Sequence, residues 1–139
     1  MDFKGWVHLD NVKRCYPFTV LDDHSRYNLV LEACPGESES VVRPPLIKAF
    51  RRFGLPRQIL CDYGNPWGKG LGPDGKQMGT PSFEVWLMRL GVELIHCRVR
   101  HPQTQGKEER FHQTLKVEVL ERECSWRDLP HCQSAFRQW

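Results

Sequence analysis

The order of strand-like and helix-like segments is the feature that most limits what this chain can fold into. Residues 3–9, 15–21 and 27–33 are rich in aromatic and β-branched residues, and turn-forming residues separate them. This succession predicts a three-stranded antiparallel meander at the start of the fold.

The rest of the chain alternates helix and strand patterns. Short strands are predicted over residues 57–61 and 92–99, and helices over residues 41–54, 80–90, 107–123 and 125–139. The order is three strands, then helix, strand, helix, strand and two helices. It predicts an α/β domain in which helices cover a five-stranded mixed sheet.

A few residues predict where these helices begin and end. The Pro44–Pro45 pair lacks backbone N–H donors and is expected to start the first helix late or to bend it. Gly54 is expected to end that helix. Thr80 and Ser125 are the candidate N-caps of the second and the last helix.

Length and composition predict one domain over residues 1–139, since a chain of 139 residues with 40% hydrophobic residues buries one sizeable core. The sequence has no run of about 18 apolar residues and no signal-peptide pattern at its start. We therefore expect a soluble, cytoplasmic protein with no membrane partner. The six cysteines include no C-x-x-C pair, which favours reduced core thiols over a zinc site or disulfides.

Basic residues are concentrated in one stretch, although the net charge is only +3. Between residues 41 and 61 the chain has no acid and five basic residues, Arg43, Lys48, Arg51, Arg52 and Arg57. This stretch either holds phosphates or forms a solvated helix face. Residues 64–79 then contain six glycines and two prolines without periodicity, which predicts a long mobile loop.

Two aspartates lie at the ends of predicted strands, where functional groups collect in α/β sheets. Asp2 opens the first strand and Asp62 follows the fourth. Each alone also fits an ordinary turn residue. Asp22 and Asp23 lie in a predicted turn, where their expected role is to bond local backbone groups.

Two adjacent glutamates near the start of the third helix point in different directions. At about 100° per residue, Glu108 shares the apolar face of the helix with Phe111, Leu115 and Val119. Glu109 lies on a polar face together with Gln105, His112, Gln113 and Lys116. Glu108 is interpreted as an end residue favoured by the helix dipole. Glu109 belongs either to a phosphate and metal site or to a solvated face.

With these residues in place, the chain resembles the catalytic core of DDE transposases and retroviral integrases, in particular the integrase-like transposases of bacterial insertion sequences. The stretches that carry the resemblance are DFKG at residue 2, FTVLDDHSRY at 18–27, FRRFGLPRQILCDYG at 50–64 and HPQTQGKEERFHQTLK at 101–116. The last is the most specific. The resemblance implies a ribonuclease H-like fold.

The resemblance also implies a site and a reaction. Its three catalytic, metal-binding carboxylates fall on Asp2, Asp62 and Glu109, because the family glutamate stands three residues after the glycine at 106. Two Mg²⁺ or Mn²⁺ ions held there would support cleavage of DNA ends and their joining to target DNA. The positions expected to approach DNA are Gln105, Lys107, Arg110 and Lys116.

Further expectations concern partners and surroundings. The implied partners are transposon ends and target DNA, with a homodimer or higher oligomer, in a bacterial cell and on the nucleoid when DNA is bound. Relatives carry DNA-binding regions that flank this core, so the chain is expected to be an excised core. Trp67, Lys69 and Lys76 are candidates for DNA contact or parts of a surface loop.

Two departures from the family pattern stand close to the site. The tripeptide after the fourth predicted strand is Asp62-Tyr63-Gly64 instead of the usual Asp-Asn-Gly, and the spacing from Asp62 to Glu109 is longer than is typical. Two other functions therefore stay open. One is a nuclease that hydrolyses nucleic acid without joining it, and the other is a decayed or domesticated module that binds nucleic acid without catalysis.

Overall fold

The computed structural model describes residues 1–11, 13–68, 79–97 and 106–139. The strands are β1 (Asp2–Phe3), β2 (Val7–His8), β3 (Arg14–Leu21), β4 (Asn28–Cys34), β5 (Gln58–Cys61) and β6 (Glu93–His96). The helices are α1 (Glu39–Phe53), α2 (Ser82–Arg89), α3 (Gly106–Leu115) and α4 (Leu129–Gln138). A π-helical turn, Lys116–Leu120, continues α3.

β3 is the strand around which the first sheet is built. β1, β2 and β4 all pair with β3 in the antiparallel sense. Phe18 and Thr19 pair with β1 and with β4, so β3 lies between these two strands. The predicted antiparallel meander is therefore confirmed, and its central strand is the longest in the described part of the chain.

The prediction of one five-stranded sheet is wrong in its count. The first predicted strand is divided into β1 and β2, because Gly5 adopts a φ of 91° and interrupts the extended backbone. β5 and β6 form a separate parallel pair, in which Cys61 lies opposite His96. The amino nitrogen of Met1 donates a hydrogen bond of 2.7 Å to the carbonyl of Leu60, and so connects the start of β1 to β5.

Apolar residues fill both faces of the first sheet because side chains alternate along β3. Phe18 points to a core with α1 and α2, where Val42, Leu46, Phe83 and Leu87 are buried. Cys15 points to a second core under α3 and α4. That core is formed by Leu9, Cys15, Leu115, Val119, Leu120, Trp126, Cys132 and Phe136. Helices therefore cover the sheet on both sides, as an α/β layered domain requires.

The helix ends differ in detail from the sequence expectations. Gly54 ends α1 as predicted, with a φ of 89° and its N–H bonded to the carbonyl of Phe50. The proline pair at 44–45 lies inside α1, since the helix already begins at Glu39. α2 is capped at Pro81 instead of Thr80. The N-cap of α4 is Asp128, three residues after the predicted Ser125, and its carboxylate accepts the N–H of His131.

The third helix is shorter than the predicted span of 107–123. Its α-helical part ends at Leu115, and the π-helical turn that follows ends at Leu120. The cysteine prediction is confirmed, since none of the six cysteines, all of which lie in the described ranges, forms a disulfide, and five of them are buried, namely Cys15, Cys34, Cys61, Cys97 and Cys132. No helix within the described ranges is long and apolar enough to cross a membrane.

A tight turn after β5 packs part of the glycine-rich segment onto the first core. The N–H of Gly68 donates to the carbonyl of Gly64 at 2.7 Å. Trp67 is only 1% exposed, and its ring stacks on Phe3 with centroids 5.6 Å apart. Residues 64–68 therefore do not belong to the predicted mobile loop, and residues 69–78 lie outside the described part of the chain.

Gly68 provides a direct test of this turn. A Cβ at position 68 would lie 1.9 Å from the carbonyl oxygen of Tyr63, which is backbone and cannot move aside. We expect Gly68→Ala to lower the free energy of unfolding by about 2 kcal/mol or more, measured by urea denaturation.

The matched control is Gly36→Ala, because a Cβ at Gly36 meets nothing within 4 Å. This control should change the free energy of unfolding by no more than about 0.5 kcal/mol. Equal stabilities of the two variants would contradict the described packing of residues 64–68.

Candidate functional site

The carboxylates of Asp2 and Asp62 lie near enough for their charges to interact, at the place where the Met1–Leu60 hydrogen bond connects the start of β1 to β5. Burial raises the pKa of Asp2 from 3.8 to about 6, and the negative charges of Asp62 and then Glu108 add to the increase. The N–H of Phe3, which donates to Asp2 Oδ1 at 2.8 Å, acts in the opposite direction. The structure therefore brings together two of the three predicted carboxylates.

Asp62 is held by the turn that follows it. Its Oδ1 accepts two hydrogen bonds, one from the N–H of Gly64 at 2.8 Å and one from the indole N–H of Trp67 at 2.6 Å. Because Trp67 is part of the apolar core, its ring fixes the direction of the carboxylate. The expectation that Trp67 contacts DNA is wrong, since its side chain is enclosed by Phe3, Phe18 and Phe83.

Thr19 connects β1 and β3 to α3 through a buried hydroxyl. Its Oγ1 lies 3.0 Å from the carbonyl of Asp2, 2.6 Å from Glu108 Oε1 and 2.8 Å from His112 Nε2. Glu108 and His112 are four residues apart on α3 and are both buried. The prediction that Glu108 lies on the core-facing side is confirmed. The hydrogen bond between Thr19 and Glu108 was not predicted, since Glu108 was interpreted as an end residue favoured by the helix dipole.

His112 was predicted on the polar face with Glu109, and this assignment is wrong. Its ring packs against Thr19, with Nδ1 3.9 Å from Asp2 Oδ2. Burial lowers the pKa of His112 from 6.5 to about 4, so the ring is neutral at pH 7. The contact with Asp2 is therefore not an ion pair at that pH, and a neutral ring with its proton on Nε2 donates to Thr19.

Glu109 is exposed on α3, one residue beyond the buried Glu108. Among the residues that the structure describes, no group of three or more His, Cys, Asp or Glu side chains is arranged as a metal site. The geometry thus pairs Asp2 with Asp62 and places Glu108 near them, whereas Glu109 is assigned to the site only by its position in the sequence motif.

The residues predicted to contact DNA have different surroundings. Lys107 bonds the carboxylate and the carbonyl of Asp23, and this bond keeps the pKa of Asp23 below its usual value. Lys116 pairs with Glu121 at 3.2 Å, and Arg110 is exposed. Gln105, together with Lys69 and Lys76, lies outside the described residues.

The two aspartates in the turn between β3 and β4 have different partners. Asp22 Oδ2 accepts the N–H of Ser25 at 2.7 Å and its hydroxyl at 2.6 Å, as predicted for a turn residue. Asp23 instead connects this turn to the first residues of α3 through Lys107.

The basic stretch on α1 and after it is largely open to solvent. Arg43 is paired with Glu39 and lies over the ring of Trp86. The other four basic residues, Lys48, Arg51, Arg52 and Arg57, are exposed. These four side chains are therefore accessible to an external phosphate.

A cavity of about 710 Å³ opens beside Asp2 and gives solvent access to its surroundings. Glu108, Lys107 and Arg26 contribute charged groups to its wall, and α1 contributes the apolar residues Leu46, Ala49, Phe50 and Phe53. The cavity therefore contains acidic groups that suit a cation and basic groups that suit a phosphate.

The donor set fits a divalent cation with hard-ligand chemistry. Asp2 and Asp62 supply carboxylate oxygens, the ligands that Mg²⁺ and Mn²⁺ prefer. The pKa of Asp2 is raised first by burial and then by repulsion from the negative charge of Asp62, so both effects disfavour its ionised form. A bound cation would offset this repulsion and lower the pKa of Asp2.

The raised pKa predicts that metal binding depends on pH. Below pH 6 a cation must displace a proton from Asp2, whereas at higher pH the carboxylate is already ionised. We expect Mn²⁺ affinity to rise by about tenfold from pH 5 to pH 7. Calorimetry in two buffers of different ionisation enthalpy should show proton release at the lower pH.

Asp2→Asn is the control, because the amide keeps the shape of the side chain without a titratable proton. Mn²⁺ binding to this variant should be weaker, and the pH dependence in this range should be lost. An affinity that stays constant from pH 5 to pH 7 in the unmodified chain would contradict the prediction.

Trp67→Phe tests whether the hydrogen bond from the Trp67 indole to Asp62 contributes to metal binding. This change removes the N–H that bonds Asp62 Oδ1 but keeps an aromatic ring in the core. We expect Mn²⁺ affinity to fall by about tenfold, as is typical when a partner of a metal ligand is removed. Phe83→Leu, which alters the packing around Trp67 but leaves its N–H in place, should have a smaller effect on affinity.

Comparison with known families agrees with this architecture. Residues 1–102 match the family model described as the integrase core domain. The match covers more than two thirds of the chain, includes Asp2 and Asp62, and ends before α3. The mixture of antiparallel and parallel strands between helix layers is consistent with the ribonuclease H-like fold of these domains. The chain belongs to the integrase core domain family.

Proposed function

We propose that this domain cleaves and joins DNA strands by metal-dependent transesterification, as a transposase or integrase of the kind found in bacterial insertion sequences. The observation that carries the proposal is the half-buried pair of Asp2 and Asp62 at adjoining strand ends, where burial and then the negative charge of Asp62 raise the pKa of Asp2. Two carboxylates placed together in a partly buried position suit a divalent cation.

The proposed ligands are Asp2, Asp62 and Glu109, with two Mg²⁺ or Mn²⁺ ions as cofactors. When bound, the ions would activate water or a DNA 3′-hydroxyl and stabilise the leaving oxygen. The chain itself contributes orientation. Trp67 and Gly64 fix Asp62, and the N–H of Phe3 fixes Asp2.

Glu109 is proposed as the third ligand although Glu108 lies nearer to Asp2. Glu108 Oε1 is already bonded by the hydroxyl of Thr19, and the side chain is buried against His112 and β3. Exposed Glu109 keeps its oxygens accessible to an ion that also binds DNA phosphate. Its place three residues after Gly106 matches the family motif.

DNA is the proposed partner, and its phosphates are expected to contact the exposed basic residues. Arg110 on α3 and the cations of α1 are accessible. Lys107 and Lys116 would exchange their surface carboxylate partners for phosphates, since exposed ion pairs contribute little stability. Binding of this kind depends steeply on salt and reads few bases. Joining two DNA ends further suggests a homodimer or higher oligomer of the 1–139 domain.

Glu109→Gln and Glu108→Gln form a matched pair that tests the proposed site. Strand transfer exchanges one phosphodiester for another and is reversible, so a branched DNA that mimics the joined product serves as substrate without knowledge of the cognate ends. We expect Glu109→Gln to slow the Mn²⁺-dependent reaction by about 10³-fold, because a metal ligand is lost.

Glu108→Gln should slow the reaction by less than about tenfold, because the amide oxygen still accepts the hydroxyl of Thr19. A reversed order of the two variants would assign the third carboxylate to Glu108. Hydrolysis of the branched DNA without strand exchange would favour the nuclease. Activity unchanged by Asp2→Asn, Asp62→Asn and Glu109→Gln would reject the catalytic proposal in favour of the binding module.

A further inference from the structure

An exposed aromatic ring stands next to the carboxylate of Asp62. Tyr63 is 49% exposed, and its ring stacks on the imidazole of His96 with centroids 4.8 Å apart and an interplanar angle of 19°. His96 is the last residue of β6, and Tyr63 lies two residues after the end of β5. The pair therefore lies at the same strand ends that carry the proposed metal site.

His96 is fixed by the backbone of the residue beside it. Its Nδ1 lies 2.9 Å from the carbonyl oxygen of Asp62, and a ring with its proton on Nδ1 donates to that oxygen. Cys61 Sγ is 3.5 Å from the same nitrogen. The imidazole thus has a set orientation relative to Asp62, and Tyr63 takes its own orientation from the imidazole.

One face of Tyr63 is covered and the other is available. Since the imidazole lies nearly parallel to one face of the phenol, the 49% exposure of the residue points to solvent access at the opposite face and the ring edge. A flat aromatic face in solvent, held rigidly beside a site for phosphodiester chemistry, matches a nucleobase in shape. Bases stack on such faces without strong sequence preference.

We propose that Tyr63, supported by His96, is a stacking platform for an unpaired base of the DNA strand next to the phosphate that reacts. The inference rests on the proposed function for the identity of the DNA strand. Duplex ends fray and overhangs are already unpaired, so a base there can leave the helix at low cost. The platform would hold the strand end in place while the phosphate meets Asp2 and Asp62.

The experiment compares a short duplex that ends in an unpaired 3′ overhang with the same duplex made blunt. The overhang carries the fluorescent base analogue 2-aminopurine, whose emission is quenched when it stacks. Metal is omitted, so no DNA is cut. Anisotropy gives the affinity for each DNA, and the emission of the analogue reports stacking directly.

Tyr63→Ala should weaken binding of the overhang by about tenfold and relieve the quenching, since base stacking on an aromatic residue contributes at this scale. Binding of the blunt duplex should change by less than about twofold. Tyr63→Phe and Tyr63→Trp should keep both the affinity and the quenching, because the aromatic face is retained.

Tyr27→Ala is the matched control. Tyr27 is also exposed, at 55%, and contacts another aromatic ring, Phe53, in an edge-on arrangement. Its loss should leave the overhang affinity and the quenching unchanged. Thermal unfolding of Tyr63→Ala should match the unmodified chain, since the side chain is largely outside the core.

Three results would overturn the platform. They are equal overhang affinities for Tyr63→Ala and Tyr27→Ala, an equal loss for overhang and blunt DNA, or no quenching of the analogue by the unmodified chain at saturating protein. The assay contains no metal and needs no reaction. A failed platform therefore leaves the Glu109→Gln result intact, and absence of strand exchange leaves the stacking result intact.

Discussion

The position of α3 on the sheet depends on the buried hydroxyl of Thr19. A buried polar group without a hydrogen-bond partner costs about 1–3 kcal/mol, so this hydroxyl must be satisfied. It has one proton and lies within 3.0 Å of three polar atoms, from Asp2, Glu108 and His112. Glu108 and His112 meet it together only because they are one helical turn apart. Sliding α3 by one residue would lose both contacts, so the hydroxyl fixes α3 relative to Asp2.

The two titratable groups beside this hydroxyl affect stability in opposite senses. The pKa of Asp2 is raised to about 6. Its favourable contribution to the free energy of unfolding is therefore present at low pH and is lost as the pH rises through 6. The pKa of His112 is lowered to about 4. Its favourable contribution to the free energy of unfolding is therefore present above pH 6.5 and is lost as the pH falls towards 4. Between pH 4 and pH 6 the two slopes offset each other. At neutral pH the His112 ring is uncharged and adds no positive charge beside Asp2.

The sequence predicted the parts of this fold that follow from local pattern. The meander, the Gly54 terminus and the inward position of Glu108 depend on turn chemistry, backbone freedom and helix period, all of which are local. The burial of Trp67 and the hydrogen bonds of His112 depend on which elements meet in three dimensions. Trp67 lies in a segment without periodicity, so its sequence surroundings gave no sign of a core residue. The same glycines that suggested a loop allow the tight turn, since Gly68 lies against the carbonyl of Tyr63.

Asp62 shows how the fold can maintain an unfavourable pair of charges. Its side chain is bonded by the indole of Trp67, which belongs to the first core, and its carbonyl lies against His96 of β6. Rotating the carboxylate would break its bond to Trp67, and moving the backbone would disturb the end of the parallel strand pair. These contacts therefore oppose a local motion that would separate Asp62 from Asp2. A bound cation would offset the repulsion between the two carboxylates, so in the proposed metal site the hydrogen bonds that orient Asp62 would contribute to affinity.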